Sequence, residues 1–472
     1  MWIIGTYVSA LIIAWLAHWI YRWNNPKCNG VLPPGSFGLP LIGETLQLMV
    51  PSYSLDLLPF LKKRIQRYGK TFRTNVLGRA IVASADPEFC HFVLQQDGKL
   101  FDLWPLDTFS KLFAEESEAS FNMPNVHKYI RSTALKHVSG EVLREKLLPL
   151  MEEASRVTIK SWLGQESVNV KYATGIMAIG FYAKQMLGYD LEQSLEKLGD
   201  LYFTFIEGLM SIPLNIPGTT HYKCMKDRKK ALSILRELVK DRVSSPETPY
   251  NDYLSHLITD MGKEKFLTKD SVVQIIFAFL FVSSEPISAT LTLALMFLEE
   301  NPKAMEEITD EHEAIIKERE VSDSSITWKE YKSMPFTLHV IHESLRLANT
   351  SPGMLRRTKR DVEWNGYTIP AHWGVLIATS AFHLDPDTYE DPITFNPWRW
   401  KDCKSNAMLK NFMPFGSGMR QCAGAEYTRV FLATFLHVLV TKYKYTKVKR
   451  GEICRNPVLS LGEGFHIKVM ER

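Results

Sequence analysis

The chain has 472 residues, 45% apolar and 23% charged, with a formal net charge of +4. These are ordinary globular proportions, and so small a charge, spread over scattered basic residues with no aromatic-interleaved strip, excludes a nucleic-acid-binding reading. Six cysteines (Cys28, Cys90, Cys224, Cys403, Cys422 and Cys454) form neither a C-x-x-C pair nor a zinc spacing, which points away from a disulfide framework and toward a reducing compartment.

Residues Trp2 to Tyr21 are nearly all apolar or small, about the length that spans a bilayer as a helix. Tryptophans cluster toward its ends, and Arg22 and Lys27 follow it. That charge placement keeps the downstream chain cytosolic, so residues 1–23 are expected to be a retained membrane anchor. Residues 24–45, with Pro33-Pro34-Gly35, Gly38, Pro40 and Gly43, are expected to be a stiff hinge, because Pro-Pro cannot continue a helix. Residues 46–472 are expected to be one catalytic domain.

Within it, Tyr53–Tyr68 has helical spacing, and Thr71–Ser84 reads as a strand pair turning at Gly78. Helical patterns follow over Lys128–His137, Val142–Trp162, Leu191–Ile212, Lys226–Val243, Asp270–Glu300, Pro302–Glu318 and Trp328–Leu347. Ser351–Ser380 is strand-like, Asp385–Pro414 is irregular, and a last helix runs from Gly424 to Tyr443 before terminal strands. The fold class is mainly α with a small β part.

The chemistry is concentrated in Phe415-Gly416-Ser417-Gly418-Met419-Arg420-Gln421-Cys422-Ala423-Gly424. Gly418 and Gly424 free the loop of β-carbons, Phe415 supplies an aromatic wall, and Arg420 can lower a thiolate pKa or grip a carboxylate. The spacing F-x-x-G-x-R-x-C-x-G resembles the haem-binding loop of cytochromes P-450. The resemblance covers essentially the whole chain. It implies the cytochrome P-450 fold behind an N-terminal transmembrane helix, and haem b whose iron takes the Cys422 thiolate as axial ligand.

Three further segments carry the likeness. Glu343-Ser344-Leu345-Arg346 places two charges on one helix face, as either an ordinary ion pair or a joint grip on a third group. It resembles the family's E-x-x-R motif, which implies a structural triad with Arg399 of Phe395-Asn396-Pro397-Trp398-Arg399-Trp400. His127 and Arg131 resemble the W-x-x-x-R element, with His in place of Trp; with Arg356 and Arg420, the likeness implies that they bind the haem propionates. Phe281-Val282-Ser283-Ser284-Glu285-Pro286-Ile287-Ser288 lies in a helix that is apolar nearly all round and matches the oxygen-activation motif. Glu285 retains the acid, but Pro286 replaces the usual threonine. Glu285 is then either a structurally paired carboxylate or part of a proton path with Ser283, Ser284, Ser288 or water.

Leu32–Thr45, Thr327–Met334, Asn411–Gly416 and Cys422–Glu426 resemble the plant family numbered eighty-seven, in the clan that oxidises sterols and triterpenoids. That likeness implies hydroxylation, with possible further oxidation, of a triterpenoid or sterol skeleton in the endoplasmic reticulum membrane. Electrons would come from NADPH through a separate cytochrome P-450 reductase, since the chain has no dinucleotide-binding G-x-G-x-x-G. Lys401, Lys404, Lys410, Arg429, Lys128 and Lys136 could form the reductase face or be solvated surface. An apolar pocket of sterol size is expected from Trp104, Leu106, Phe109, Phe205, Met210, Phe277 and Phe281. Two rivals stay open. One is a dioxygen-independent isomerising or dehydrating enzyme of the same family, favoured by the missing threonine; the other is a non-catalytic haem-binding membrane protein.

Overall fold

The computed structural model describes residues 2–104, 124–189, 195–209, 211, 214–245, 251–321, 324–401 and 406–472. Helix α1 (Trp2–Asn24) stands exposed, with Tyr7, Leu11, Ile13 and Trp15 all more than 60% accessible. Its foot is fixed to the body through rings: Trp23 meets Phe37 edge-on at 6.3 Å, and Phe37 meets Trp373 at 5.5 Å. The proline segment is pinned to the first strand, where Arg73 donates its amide to Pro34 O (2.8 Å) and its guanidinium to Pro33 O (2.7 Å). Gly35 is required there, since a β-carbon would lie 2.1 Å from Arg73 O.

Strands β1 (Thr71–Val76) and β2 (Arg79–Ser84) form the anticipated hairpin. Both turn residues, Leu77 and Gly78, have positive φ, the geometry that matches the twist of a two-residue hairpin. Helix α2 (Pro87–Gln95) follows, capped by Asp86, which accepts the Glu88 amide at 3.0 Å. With β3 (Phe101–Leu103), β4 (Met354–Thr358) and β5 (Gly374–Ile377) the hairpin makes a five-stranded sheet of order β1-β2-β5-β4-β3, in which only β2 and β5 run parallel.

The helical body is built from α3 (Pro124–Val138), α4 (Leu148–Ser161), α5 (Val170–Leu187), α6 (Leu195–Leu209), α7 (Thr220–Ser244), α8 (Tyr253–Asp260), α9 (Lys269–Glu300), α10 (Pro302–Lys317), α11 (Pro335–Ala348) and α12 (Ala425–Lys442). Helix α9 is its axis. Thr268 and Ser271 cap it reciprocally, each side chain bonded to the other's amide (3.0 and 2.7 Å), which contributes about 1 kcal/mol. Val272, Ile276, Phe277, Leu280, Leu291 and Leu295 are buried against its neighbours, each adding about 1.5–3 kcal/mol over exposure. Among the described residues α9 is also the one helix meeting a length-and-hydropathy criterion for crossing a membrane, and 61% of its apolar window is buried inside the protein, as a core helix requires. The chain closes with β6 (Tyr443–Arg450) paired antiparallel to β7 (Phe465–Glu471), which also pairs with Val168–Asn169.

Sequence and structure differ in places, for physical reasons. Helix α5 was not anticipated. Its mixed run, with Gly175, Gly180 and two lysines, lacks a polar face because it is buried on most sides. The Trp328–Leu347 pattern is two helices, Trp328–Lys332 and α11, divided at Ser333-Met334 because Pro335 takes the first helical position. For the same reason the Tyr53–Tyr68 pattern becomes helical only from Pro59.

Candidate active site

Cys422 sits on the last turn before α12, whose first amides carry partial positive charge. Its own amide donates to Phe415 O at 2.8 Å, closing the loop. The loop cannot accept a side chain at Gly418: φ is +72° and a β-carbon would lie 2.7 Å from Leu94 O of α2. Gly418 thus serves the contact between the loop and α2. Burial pushes the Cys422 thiol above the ordinary cysteine value, while the Gly424 amide, Arg131 and Arg429 pull it back. The residue is nevertheless solvent-accessible. Phe415 is covered by the Arg429 guanidinium, 4.7 Å from the ring centre.

The four basic side chains singled out in the sequence converge. Arg131 of α3 donates to Gln421 O next to the cysteine. Arg356 of β4 donates to Asp97 Oδ2 at 2.9 Å, and Arg420 Nε lies 3.2 Å from the same oxygen. His127, half-buried, is pushed down to about 4, first by burial and then by Arg420 and Arg131, so it is neutral near pH 7. Two guanidinium groups on one carboxylate, with that of Arg131 beside the cysteine, make a donor set with two positive charges to spare. That set fits the two carboxylates of a haem, and the adjacent sulfur fits its iron. Asp97 was not recognised in the sequence.

The floor beneath the loop is held by Glu343, wholly buried like Arg346. Arg346 grips it bidentately (2.7 and 2.9 Å), and Arg399 Nε (3.0 Å), Trp400 Nε1 (3.0 Å) and the Asn396 amide (3.0 Å) complete its shell. The structure therefore brings Glu343, Arg346 and Arg399 together. Arg346 also donates to the carbonyls of His383 (2.7 Å) and Pro392 (2.6 Å). The His383 ring accepts the Met413 amide at 3.1 Å, which carries this network up to the cysteine loop. His383 was missed, for it has no local sequence signature; Trp400 was read as part of the Phe395–Trp400 element, but its bond to Glu343 was not foreseen.

Helix α9 runs unbroken through Pro286. Proline has no amide to bond the Val282 carbonyl. Val282 itself is 53% exposed in the middle of this buried helix, and Ala278, Val282 and Pro286 share one face. Glu285 Oε1 pairs with Lys171 Nζ of α5 at 2.8 Å, and its buried Oε2 has no hydrogen-bond partner among the described residues. The hydroxyls of Ser283 and Ser284 are turned back onto Leu280 O (3.2 and 2.8 Å), and that of Ser288 onto Glu285 O (3.1 Å). Lys171 escaped notice because α5 did.

Of the anticipated pocket residues, Phe205 and Phe277 are wholly buried. Their rings meet edge-on at 5.1 Å between α6 and α9. Phe281 keeps partial exposure beside Phe205. Trp104 packs on Gly374 of the sheet, where a β-carbon would lie 2.3 Å from its ring. Leu106, Phe109 and Met210 lie outside the described residues, as do Cys403 and Lys404. Lys128, Lys136, Lys401 and Lys410 are exposed.

A family model described as Cytochrome P450 matches residues 33–465. The chain is 46% identical over 468 residues to cucurbitadienol 11-hydroxylase of Siraitia grosvenorii, covering 99% of both. It is 43% identical over 476 residues to beta-amyrin 16-alpha-hydroxylase CYP87D16 of Maesa lanceolata, covering both completely. Among solved structures, retinoic acid bound cyanobacterial CYP120A1 superimposes with a TM-score of 0.80 over 94% of this chain and all of the other, at 24% identity.

Proposed function

The chain belongs to the cytochrome P450 family, in its plant branch numbered eighty-seven, and from that footing we propose that it is a membrane-anchored haem-thiolate monooxygenase that hydroxylates a triterpenoid or sterol skeleton. The observation that carries the reading is the placement of the Cys422 sulfur at the head of α12, beneath a cluster of three arginines. The two curated relatives above are named for hydroxylation of triterpenoids, which supports that substrate class. Helix α1 supports the anchor, being apolar and exposed over Gly5–Arg22 before the pinned hinge. We place the body on the cytosolic side of the endoplasmic reticulum membrane, with NADPH-cytochrome P-450 reductase as electron donor.

When bound, haem supplies the one-electron and dioxygen chemistry that protein side chains lack. Cys422 would supply the sulfur that holds the iron, and the Gly424 amide donates it a hydrogen bond that favours thiolate. Arg131, Arg356, Arg420 and neutral His127 would hold the propionates. Glu343, Arg346 and Arg399 keep the segment beneath the loop in place. Glu285, steadied by Lys171, keeps one carboxylate oxygen for a proton path. The Val282 carbonyl, released by Pro286, accepts a hydrogen bond from water or from a substrate hydroxyl. Val282 and Phe281 offer apolar surface to the substrate.

The test is the purified chain beside its Cys422→Ser variant, reconstituted with a reductase and offered cucurbitadienol and beta-amyrin. The parent should show the ferrous–CO absorption of thiolate-ligated haem, a Soret shift with one skeleton and NADPH-dependent hydroxylation; the variant should lose the thiolate band. Product formed without NADPH would instead support the isomerising alternative that Pro286 favours.

A further inference from the structure

We propose that Asp97 is the positioning residue for Arg356 and Arg420: it sets the planes of both guanidinium groups and cancels one of the charges they present to the prosthetic group. The inference rests on the haem reading above.

Asp97 is almost wholly buried, at the end of α2. A buried carboxylate is costly unless paired and hydrogen-bonded. Here two arginines from separate parts of the chain meet it. Arg356 Nε donates to Oδ2 at 2.9 Å, while Arg420 Nε lies 3.2 Å from Oδ2 and 3.4 Å from Oδ1. Both contacts use Nε, the inner edge of the planar fork, so each fixes the orientation of a whole guanidinium. Arg356 is held further by a bond to Leu355 O at 2.9 Å. Burial lowers the Arg356 pKa, and Arg420 lowers it again, whereas Asp97 opposes both. Asp97 also opposes the arginines at His127. Among the described residues it is thus the one acid named beside the arginines acting on this cluster.

The aspartate is held by a seam of backbone contacts. Leu94–Gly98 runs beside Gly418–Arg420: a β-carbon on Gly418 would strike Leu94 O at 2.7 Å, and one on Gly98 would touch Met419 Cε at 3.4 Å. Asp97 facing Arg420 is the charged member of that seam. The cysteine loop is therefore referenced to α2 by the same residue that aims the arginine of β4. With Asp97 in place, Arg131, Arg356 and Arg420 present two net positive charges, which balance two propionates. Without it they present three.

The experiment compares Asp97→Asn and Asp97→Glu with the parent, each as the full-length haem protein. Three quantities are read: the ferric–ferrous midpoint potential by spectroelectrochemistry, the rate of haem release to an acceptor apoprotein, and the melting temperature. Asp97→Asn removes a negative charge near the iron, so its potential should move positive, and haem release should quicken several-fold because the forks lose their reference. Asp97→Glu keeps the charge and displaces it by one methylene, so its potential should stay near the parent's while release still quickens. An Asp97→Asn protein with parental potential and parental release overturns the proposal, as does an Asp97→Glu potential shifted as far as that of Asp97→Asn. Should Asp97→Asn yield no haem protein, Asp97→Glu decides: faster release at an unchanged melting temperature supports the proposal, and parental release overturns it. A parent lacking the thiolate–CO band would fail the haem reading itself, whereas a parent with the band and indifferent variants fails this inference alone.

Discussion

The Nδ1 atoms of His312 and His437 approach to 2.9 Å in the buried interface between α10 and α12. Arg319 Nη2 lies 3.3 Å from His437 Nε2. Arginine only donates, so that nitrogen accepts and the His437 proton sits on Nδ1. It points at His312, whose own proton must then lie on Nε2, toward Thr337 Oγ1 at 2.9 Å; Thr337 in turn donates to Glu311 at 2.5 Å. One guanidinium thus fixes the tautomers of both rings.

A pH dependence of stability follows. Burial pushes His437 down to about 4 and His312 well below its ordinary value. Both rings are neutral when folded, whereas the unfolded chain takes up their protons below about pH 6.5. Stability is therefore fully present above that pH and falls as pH drops toward 4, by about 1.4 kcal/mol per pH unit for each excluded proton. Denaturant midpoints across this window should fall with acidification, with a shallower slope for His437→Gln. A slope unchanged by that substitution would contradict the assignment.

Arg346→Lys should abolish haem incorporation. Lysine keeps the charge but concentrates its donors at one point, and so cannot reach Glu343 twice while also holding the carbonyls of His383 and Pro392. Breaking a buried pair costs about 3–5 kcal/mol. A ferrous–CO spectrum of normal amplitude in the variant would refute the role given to the network.

Glu285→Gln should lower turnover by about 10²–10⁴ if this carboxylate handles protons, and should lower the product formed per NADPH consumed. Lys171→Met, which removes the 2.8 Å partner, should lower the same ratio while leaving the Soret spectrum intact. Pro286→Thr restores an amide and a hydroxyl at one position. A variant with parental rate and coupling would show that position 286 takes no part in proton delivery.

Gly418→Ala should destabilise the loop. The left-handed φ alone costs about 1–2 kcal/mol for an L-residue, and the added carbon meets the Leu94 carbonyl at 2.7 Å. A melting temperature equal to the parent's would place the loop's rigidity elsewhere.

The features legible in the sequence are those with short, fixed spacing. The cysteine loop and Glu343/Arg346 could be read because neighbours along the chain do the work. Arg399 needed the family likeness, since its bond to Glu343 spans 56 residues. Asp97, His383 and Lys171 could not be read. Asp97 meets Arg356 across 259 residues and Arg420 across 323, and only the fold makes that pairing. Apolar residues are harder to read. An aromatic such as Phe205 or Phe277 looks the same in the sequence whether it packs helices together or lines a pocket, and only the fold shows that their rings meet and that Val282 is the exposed member of that stretch.

The guanidinium of Arg346 gathers carbonyls from His383, Pro392 and Thr394, all made after it during translation. Each capture closes a loop at an entropic cost that must be met before the irregular stretch can settle. Synthesis runs toward the C-terminus, so this seat can assemble while Cys422 is still to be delivered. Acquisition of the pigment then becomes a late step of maturation, performed on a scaffold already shaped to receive it. Cells short of haem should accordingly accumulate a compact apoprotein rather than an unfolded chain.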